Sequence, residues 1–463
     1  MNNSKLKRLR QQIIKFRQQF AQNTQKLLNQ VLPEKEIEKV IVSEAGAYRD
    51  RTYPLLTTLG LFVGQVLSPD HACQDVVGRR LSERVAAGEA QCSLNTGPYC
   101  KARQRMPIGI PQKLLELLGL QLEDKSPKAW RWRGRTVKLF DGTTVSMPDT
   151  PSNQSAFPQS SEQKPGLGFP VARVGALIGL ASGSVLGYVV AACEGKGTGE
   201  QSLFRQLYCF IKPGDIILAD ALHTTWWTIA ALLNLGADIV MHQHGCRKTD
   251  FSTGKRLGKR DHLVEWSRPQ RPKWMDEASY RALPEFLLVR ETEVAGRVLV
   301  TTMHDAENIS PAALDALYGM RWNIEVDFRT IKVTMEMDVL RCKSKEMVEK
   351  EIAVYLLAYN LVRWAMASAA SCANVLPRAL GFTGTKRILE AFREQLRHCS
   401  GKRITVMIGV VLGAIAMLKL PYRPDRVEPR AKKRRPKNLP ILTVPRQLAR
   451  QFIIDQRVLK VVP

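Results

Sequence analysis

Between Lys5 and Leu32 the apolar residues Leu6, Leu9, Ile13, Phe16 and Phe20 recur every three or four positions, and lysines and arginines fill much of the other face. That spacing predicts a basic amphipathic helix, which Pro33 ends. A second helical run, Leu55 to Leu67, closes at Ser68-Pro69-Asp70, and a third, about His71 to Ala87, carries Arg79, Arg80 and Arg84. The turn signal from Ser93 to Tyr99, with Gly97-Pro98 inside it, then opens a helix bearing Lys101, Arg103 and Arg105.

After Lys128 the period shortens. Thr136 to Phe140 reads as a strand ending at Asp141-Gly142, and a polar loop follows from Pro151 to Gly168. Val171 to Leu180 and Val185 to Cys193 form a hairpin around Ala181-Ser182-Gly183-Ser184. Gly199 to Phe210 has helical spacing, Ile216 to Ala219 is a short apolar strand, Trp226 to Leu235 is helical, and Ala237 to Met241 is another strand. Such an order predicts a mixed α/β sheet. A Lys/Arg-rich, Pro-punctuated stretch with strands at Phe286 to Val289 and Val298 to Thr302 interrupts it, and helix resumes from Pro311 to Ala370 with a break near Met337 to Ser344. Beyond lie helices at Ile388 to Cys399 and Ile404 to Leu418, then a basic run with Arg430, Lys432, Lys433, Arg434, Arg435 and Lys437. The expected divisions are a helical region 1–134, a core in two parts, 135–246 and 304–372, split by a β-rich insertion 247–303, and a helical and basic region 373–463.

Composition narrows the partners. The 463-residue chain is 44% hydrophobic, which excludes wholesale disorder, and its formal charge of +26 builds a field that attracts polyanions. Nucleic acid becomes the leading partner, and short helices with a basic last member suit a DNA-binding module as well as any small helical bundle. Val174 to Cys193 is long enough to span a membrane but is broken by Gly175, Gly179, Gly183 and Gly187, while Ile404 to Leu418 falls short of the roughly 20 residues required and reads as a buried helix. The opening residues show no apolar signal core, so the expectation is a cytosolic protein with no membrane segment. Nine cysteines without a CxxC pair predict reduced thiols, and His242-Gln243-His244-Gly245-Cys246 reads as a strand end rather than zinc, since no second ligand pair follows.

Two aspartates stand at strand ends. Asp141 is followed by glycine, which lets the chain turn away and leaves the carboxylate at the strand's C-terminal lip, although Asp-Gly there is most often only a turn. Asp220 repeats the geometry, and on neighbouring strands the two acids could share a divalent cation. Asp215, at the start of its strand, reads as a turn residue, and Asp149 sits in a Pro-flanked loop. The densest constellation is Tyr318, Arg321, Glu325 and Lys332, whose spacings of three, four and seven place them on one broad face of a helix. An ion-paired exposed helix shows the same pattern. Beside two aspartates, an acid between cations suits a site where Glu325 holds a metal ion while Arg321 and Lys332 neutralise phosphate. Asp327 reads as an exposed acid on another face.

The trio Asp141, Asp220 and Glu325, with the signature Y-x2-R-x3-E-x6-K, resembles the DDE transposases of bacterial insertion sequences, in the IS-four-like branch defined by that signature. Thr96 to Arg103, Asp141 to Val145, Gln163 to Pro170 and Leu356 to Arg363 also resemble that family, so the likeness covers most of the chain. One departure is Ala221 after Asp220, where the family pairs Asp with Arg. The resemblance implies a ribonuclease-H-like mixed-sheet core interrupted by a β-rich insertion, with an N-terminal helical domain and a helical C-terminal region. It implies two Mg2+ ions, replaceable by Mn2+, on the three acids, and cleavage of element ends followed by joining of the 3′-hydroxyl to target DNA. Tyr318, Arg321 and Lys332 would grip phosphates, Trp266 or Trp274 would stack on an unpaired base, and the active form would be a homodimer on double-stranded DNA, nucleoid-associated while bound. Two rivals share the basic surface: a catalytically inactive DNA-binding derivative, and a nuclease that cuts without joining.

Overall fold

Nine strands form one sheet in the order β3-β2-β1-β4-β5-β9-β8-β7-β6 in the computed structural model, which describes residues 33–45, 52–397, 399, 401–421 and 443–459. The basic helix expected over Lys5 to Leu32 and the basic run around Arg430 to Lys437 lie outside the described residues.

Among the described residues, five α-helices precede the sheet: α1 (Glu34–Ala45), α2 (Leu55–Leu67), α3 (Cys73–Ala86), α4 (Gly97–Arg105) and α5 (Gly109–Asp124). The second and third begin and end where apolar periodicity meets Ser68-Pro69-Asp70 and Gly88. Strand β1 (Val137–Ser146) continues six residues beyond the expected end, because β2 (Val171–Gly179) pairs with it through Asp141↔Ala176 and on to Ser146↔Val171. Asp141 therefore sits inside a strand and not after one. The stretch expected to be loop contains a short helix, α6 (Pro151–Ala156), whose N-terminal amide is capped by Thr150.

β2 and β3 (Val185–Ala192) form the expected hairpin. Gly183 turns it with φ of +71°, and a Cβ there would lie 2.7 Å from the Arg363 guanidinium carbon, so both conformation and space call for glycine. Next come α7 (Glu200–Gln206), β4 (Ile216–Ala219), α8 (Trp226–Asn234) and β5 (Asp238–His242). β4 lies parallel to both β1 and β5. The insertion supplies β6 (Lys255–Gly258), β7 (Asp261–Ser267), α9 (Glu277–Arg281), β8 (Phe286–Val294) and β9 (Arg297–Thr301). It prolongs the core sheet, since β9 pairs antiparallel with β5.

Alternation along the strands separates two apolar layers. Leu139, Val174, Ile216, Leu218 and Val240 face α5 and the C-terminal helices, whereas Phe140, Leu177, Ile217, Ala219 and Met241 face α7 and α8. The first layer is closed by α10 (Pro311–Gly319), α11 (Trp322–Arg329) and α12 (Lys345–Ala373). α12 alone among the described helices is long and apolar enough to cross a membrane, but 89% of its apolar window is buried inside the protein, as befits a core helix. From it Asn360 accepts a bond from the Val185 amide and donates to the Val185 carbonyl, each at 2.8 Å, pinning the edge of β3. The chain continues through α13 (Phe382–Ala391), α14 (Arg393–Arg397), α15 (Gly401–Ala416) and α16 (Arg446–Leu459). α15, expected to be buried, buries Ile408, Val411, Leu412 and Ile415 and exposes Val406 and Val410, because it lies on the outside of α12.

Candidate active site

Parallel pairing of β1 with β4 runs Val137↔Ile216, Lys138↔Ile217, Leu139↔Leu218, and the same register carried two residues further sets Asp141 level with Asp220. Each acid follows a leucine of the first layer by two positions, so both project toward the side covered by α11. Asp141 accepts the Gly142 amide on Oδ1 at 2.7 Å and faces Arg321 Nη1 through Oδ2 at 3.2 Å. Burial pushes its pKa up to about 6; the Gly142 amide and Arg321 work against the rise, and the negative charges of Asp220 and Glu200 add to it.

Glu325 enters from α11. Arg321 gives its other guanidinium nitrogen to Glu325 Oε1 at 2.7 Å, so one cation bridges the first and third acids. The face expected to be one continuous helix is broken. Bonds from Met320 to Leu317 and from Arg321 to Tyr318 span three residues, which tightens the chain between α10 and α11. Tyr318 is thereby turned onto His242, with ring centroids 4.3 Å apart and planes at 19°, and burial raises its phenol pKa. Lys332 lies in a single π turn, Thr330–Thr334, half-buried and without an ion pair among the described residues.

Asp220 is the most open of the three acids, with 42% of its side chain exposed. It caps the short turn Ala221–His223 by accepting the Leu222 amide at 3.1 Å. His223 sits beneath it, buried, its pKa driven down to about 4 by loss of solvation against the opposing pull of Asp220, so the ring is neutral at physiological pH.

Sequence reasoning missed several members. Glu200, in the first turn of α7, lies beside Gly142, where a Cβ would come within 2.9 Å of its Oε1. Asp327, expected to be exposed, is 0% exposed and receives Arg363, Arg378 and Tyr359. Its partners lie 32 to 51 residues away, beyond the reach of helical periodicity. Asp215 is more than a turn residue, since it is buried in an ion pair with Lys138.

The two tryptophans part company. Trp266 is 2% exposed, donates its indole N–H to Glu291 Oε1 at 2.8 Å and carries Arg247 over its ring, so no face is available to a base. It belongs to the second apolar layer. Trp274 is 53% exposed, with Trp227 edge-on to it and Arg205 over its ring.

No group of three or more His, Cys, Asp or Glu among the described residues is gathered closely enough to be a ready-made metal cluster, and this includes His242 to Cys246. Arg321 instead joins Asp141 to Glu325, while Asp220 stands level with Asp141 on the neighbouring strand. In donor chemistry the three acids fit a hard divalent cation: all their ligating atoms are carboxylate oxygens, and Asp141 is held against like charge.

Strand order 3-2-1-4-5, with β1, β4 and β5 parallel and β2 reversed, is the ribonuclease-H-like arrangement, the scaffold of enzymes that cut polynucleotides at acidic strand ends. Residues 132–361 match the family described as Transposase DDE domain. Over 402 residues the chain is 28% identical to the transposase InsG for insertion sequence element IS4 of Escherichia coli K12, covering 85% of this chain and 88% of that one. It belongs to the DDE transposases, enzymes that cut and join DNA and generally use divalent metal ions. A cryo-EM structure of the piggyBac transposase synaptic complex with hairpin DNA overlays at a TM-score of 0.40 with 10% identity, over 87% of this chain and 86% of that one.

Proposed function

We propose that Asp141, Asp220 and Glu325 hold two Mg2+ ions, with Mn2+ able to substitute, at which the chain cuts the ends of its own insertion element and joins the freed 3′-hydroxyl to target DNA. The observation that carries this reading is the shared register: it brings Asp141 level with Asp220 on the face where Arg321 reaches both Asp141 and Glu325. When bound, the two ions supply Lewis-acid stabilisation of the attacking and leaving oxygens of an in-line displacement at phosphorus. The chain's own groups do the rest. Gly142 and Leu222 amides fix one oxygen each of Asp141 and Asp220. Arg321, no longer needed as counter-charge for two acids, turns to phosphate together with Tyr318 and Lys332. In the first step a water oxygen bonds to phosphorus and the 3′-oxygen leaves. In the second, that 3′-oxygen bonds to a target phosphorus as it gives up its proton, and the target strand's own 3′-oxygen leaves and takes a proton up.

Residues 1–134 are assigned to recognition of the element ends, 135–246 and 304–372 to catalysis, 247–303 to an insertion whose Trp274 stacks on an unpaired terminal base, and 373–463 to a C-terminal region. Joining two ends calls for a homodimer on DNA. The test is incubation of the full chain with duplexes carrying its element's ends, Mg2+ and a second labelled duplex, followed by mapping of the cut 3′ termini. Cuts at the element boundary with joined product support the assignment; cutting without joining makes the protein a nuclease, and binding without cutting makes it an inactive derivative.

A further inference from the structure

Asp220 is the acid with least support. Its Oδ1 accepts the Leu222 amide, and no lysine or arginine is paired with it among the described residues. The next residue, Ala221, offers no charge or hydrogen-bonding side chain. Three residues on, the chain buries an imidazole. His223 is 1% exposed and meets the stacked rings of Phe140 and Phe204 edge-on, at 5.0 Å and 5.4 Å between ring centroids. Its Nδ1 has no hydrogen-bond partner, and its Nε2 faces Asp220 Oδ1 at 3.6 Å. The turn between them is tied from outside as well, since Gln201 of α7 donates to the Leu222 carbonyl at 2.7 Å.

A buried polar ring with one polar neighbour is placed for that neighbour. An unpartnered ring nitrogen costs least as the lone-pair nitrogen, which puts the proton on Nε2, toward Asp220. We propose that His223 is a positioning residue for the second catalytic acid: its Nε2–H is aimed at Asp220 Oδ1, 3.6 Å away, closes on that oxygen when a cation is bound, and thereby leaves Oδ2 as the oxygen turned to the cation. The stacked pair Phe140 and Phe204 is the wall against which the ring packs, and β1 contributes to it from the position just before Asp141. The first and second acids are thus aligned through one packed unit. The inference rests on Asp220 being a cation ligand.

Hydrogen bonds that orient a metal ligand change affinity by about 10- to 100-fold when removed. The test compares His223→Phe, which keeps a planar ring against the Phe140–Phe204 pair and removes the N–H, with His223→Gln, which restores a donor near Nε2, and with Asp220→Asn. Mn2+ binding to the full chain on element-end DNA is followed by the paramagnetic resonance of free Mn2+, alongside the Mg2+ concentration giving half-maximal cleavage. H223F should weaken Mn2+ binding and raise the Mg2+ requirement by about 10-fold or more, with cleavage at saturating Mg2+ within about threefold of wild type, and H223Q should recover most of the affinity. H223F with wild-type Mn2+ affinity, or equal loss in both His223 variants, overturns the positioning role while Asp220 stands. D220N with wild-type Mn2+ affinity overturns the assignment of Asp220 itself. Independent of any variant folding, 15N spectra of histidine-labelled protein should show His223 as the Nε2–H tautomer; the Nδ1–H tautomer overturns the proposal.

Discussion

Glu325 and Asp327 stand two residues apart on α11 and lead opposite lives. Asp327 is sealed: Oδ1 receives Tyr359 at 3.0 Å and Arg363, Oδ2 receives Arg378 at 2.9 Å, and no part of the side chain meets solvent. Burial alone would raise its pKa, but Arg378 and Arg363 outweigh it and keep the carboxyl below the ordinary aspartate range. Glu325 has one oxygen on Arg321, shared with Asp141, and about a third of its side chain exposed. Both are acids with arginine partners, and the difference lies in whether every lone pair is committed. A completed buried network fixes α11 against α12, while the half-committed acid one step along the helix stays available for chemistry.

The sharpest way to break this contrast is to remove each charge in turn. Glu325→Gln or Asp141→Asn should lower Mg2+-dependent end cleavage by about 10³-fold or more, since the ions supply several kcal/mol of transition-state stabilisation. Element-end binding in a gel-shift assay should persist; retained cleavage in either variant would remove that residue from the site. Asp327→Ala leaves two buried guanidiniums unpaired and should cost about 3–5 kcal/mol in denaturant unfolding. Glu325→Gln in the same experiment should change stability by less than about 0.5 kcal/mol. Equal losses would erase the distinction.

The two tryptophans extend the comparison to the insertion. Trp274→Ala should weaken handling of an unpaired terminal base by about 1–3 kcal/mol without changing stability, as read from binding of a duplex with a frayed end. Trp266→Ala should instead unfold the β6–β9 part of the sheet, a loss of about 3–5 kcal/mol seen by circular dichroism.

Protonation offers a finer probe. Asp141 has a folded-state pKa of about 6, above its unfolded value, so the fold binds that proton more tightly and the chelated, metal-free protein gains stability from this group as pH falls through 6. Asp141→Asn should therefore raise stability at pH 8 in EDTA by on the order of 1–3 kcal/mol, with the gain vanishing near pH 4. A gain that does not depend on pH would refute the raised pKa that burial, with a smaller contribution from Asp220 and Glu200, gives this carboxyl. The smallest effect expected is at Lys332: Lys332→Ala should reduce the salt slope of end binding by about one.

Much of this molecule could be read from the chain before folding. Helices and strands with regular apolar spacing, such as Leu55–Leu67 and the hairpin of β2 and β3, were legible because their period is set by local geometry. Asp141, Asp220, Glu325 and Arg321 stood out as candidates too, two acids behind apolar runs and an acid and a cation at helical spacing, although Asp141 lies inside its strand and not at its tip. Less legible were limits imposed by partners. β1 outlasts its apolar run because β2 goes on pairing with it past Asp141. The Tyr318 to Lys332 segment breaks its helix at Gly319 to Arg321 and swings Tyr318 onto His242, a residue of another strand.

What the linear order of residues determined was the inventory: which segments repeat, where charge accumulates, and which side chains are able to ligate a cation. Which of two neighbouring acids is locked and which is free, which tryptophan faces outward, and which imidazole lies beneath Asp220 were decided only by the folded chain. The reason is that burial and hydrogen-bond satisfaction belong to pairs of residues far apart in sequence. Asp327 meets Arg378 across 51 positions, and no local pattern encodes that meeting.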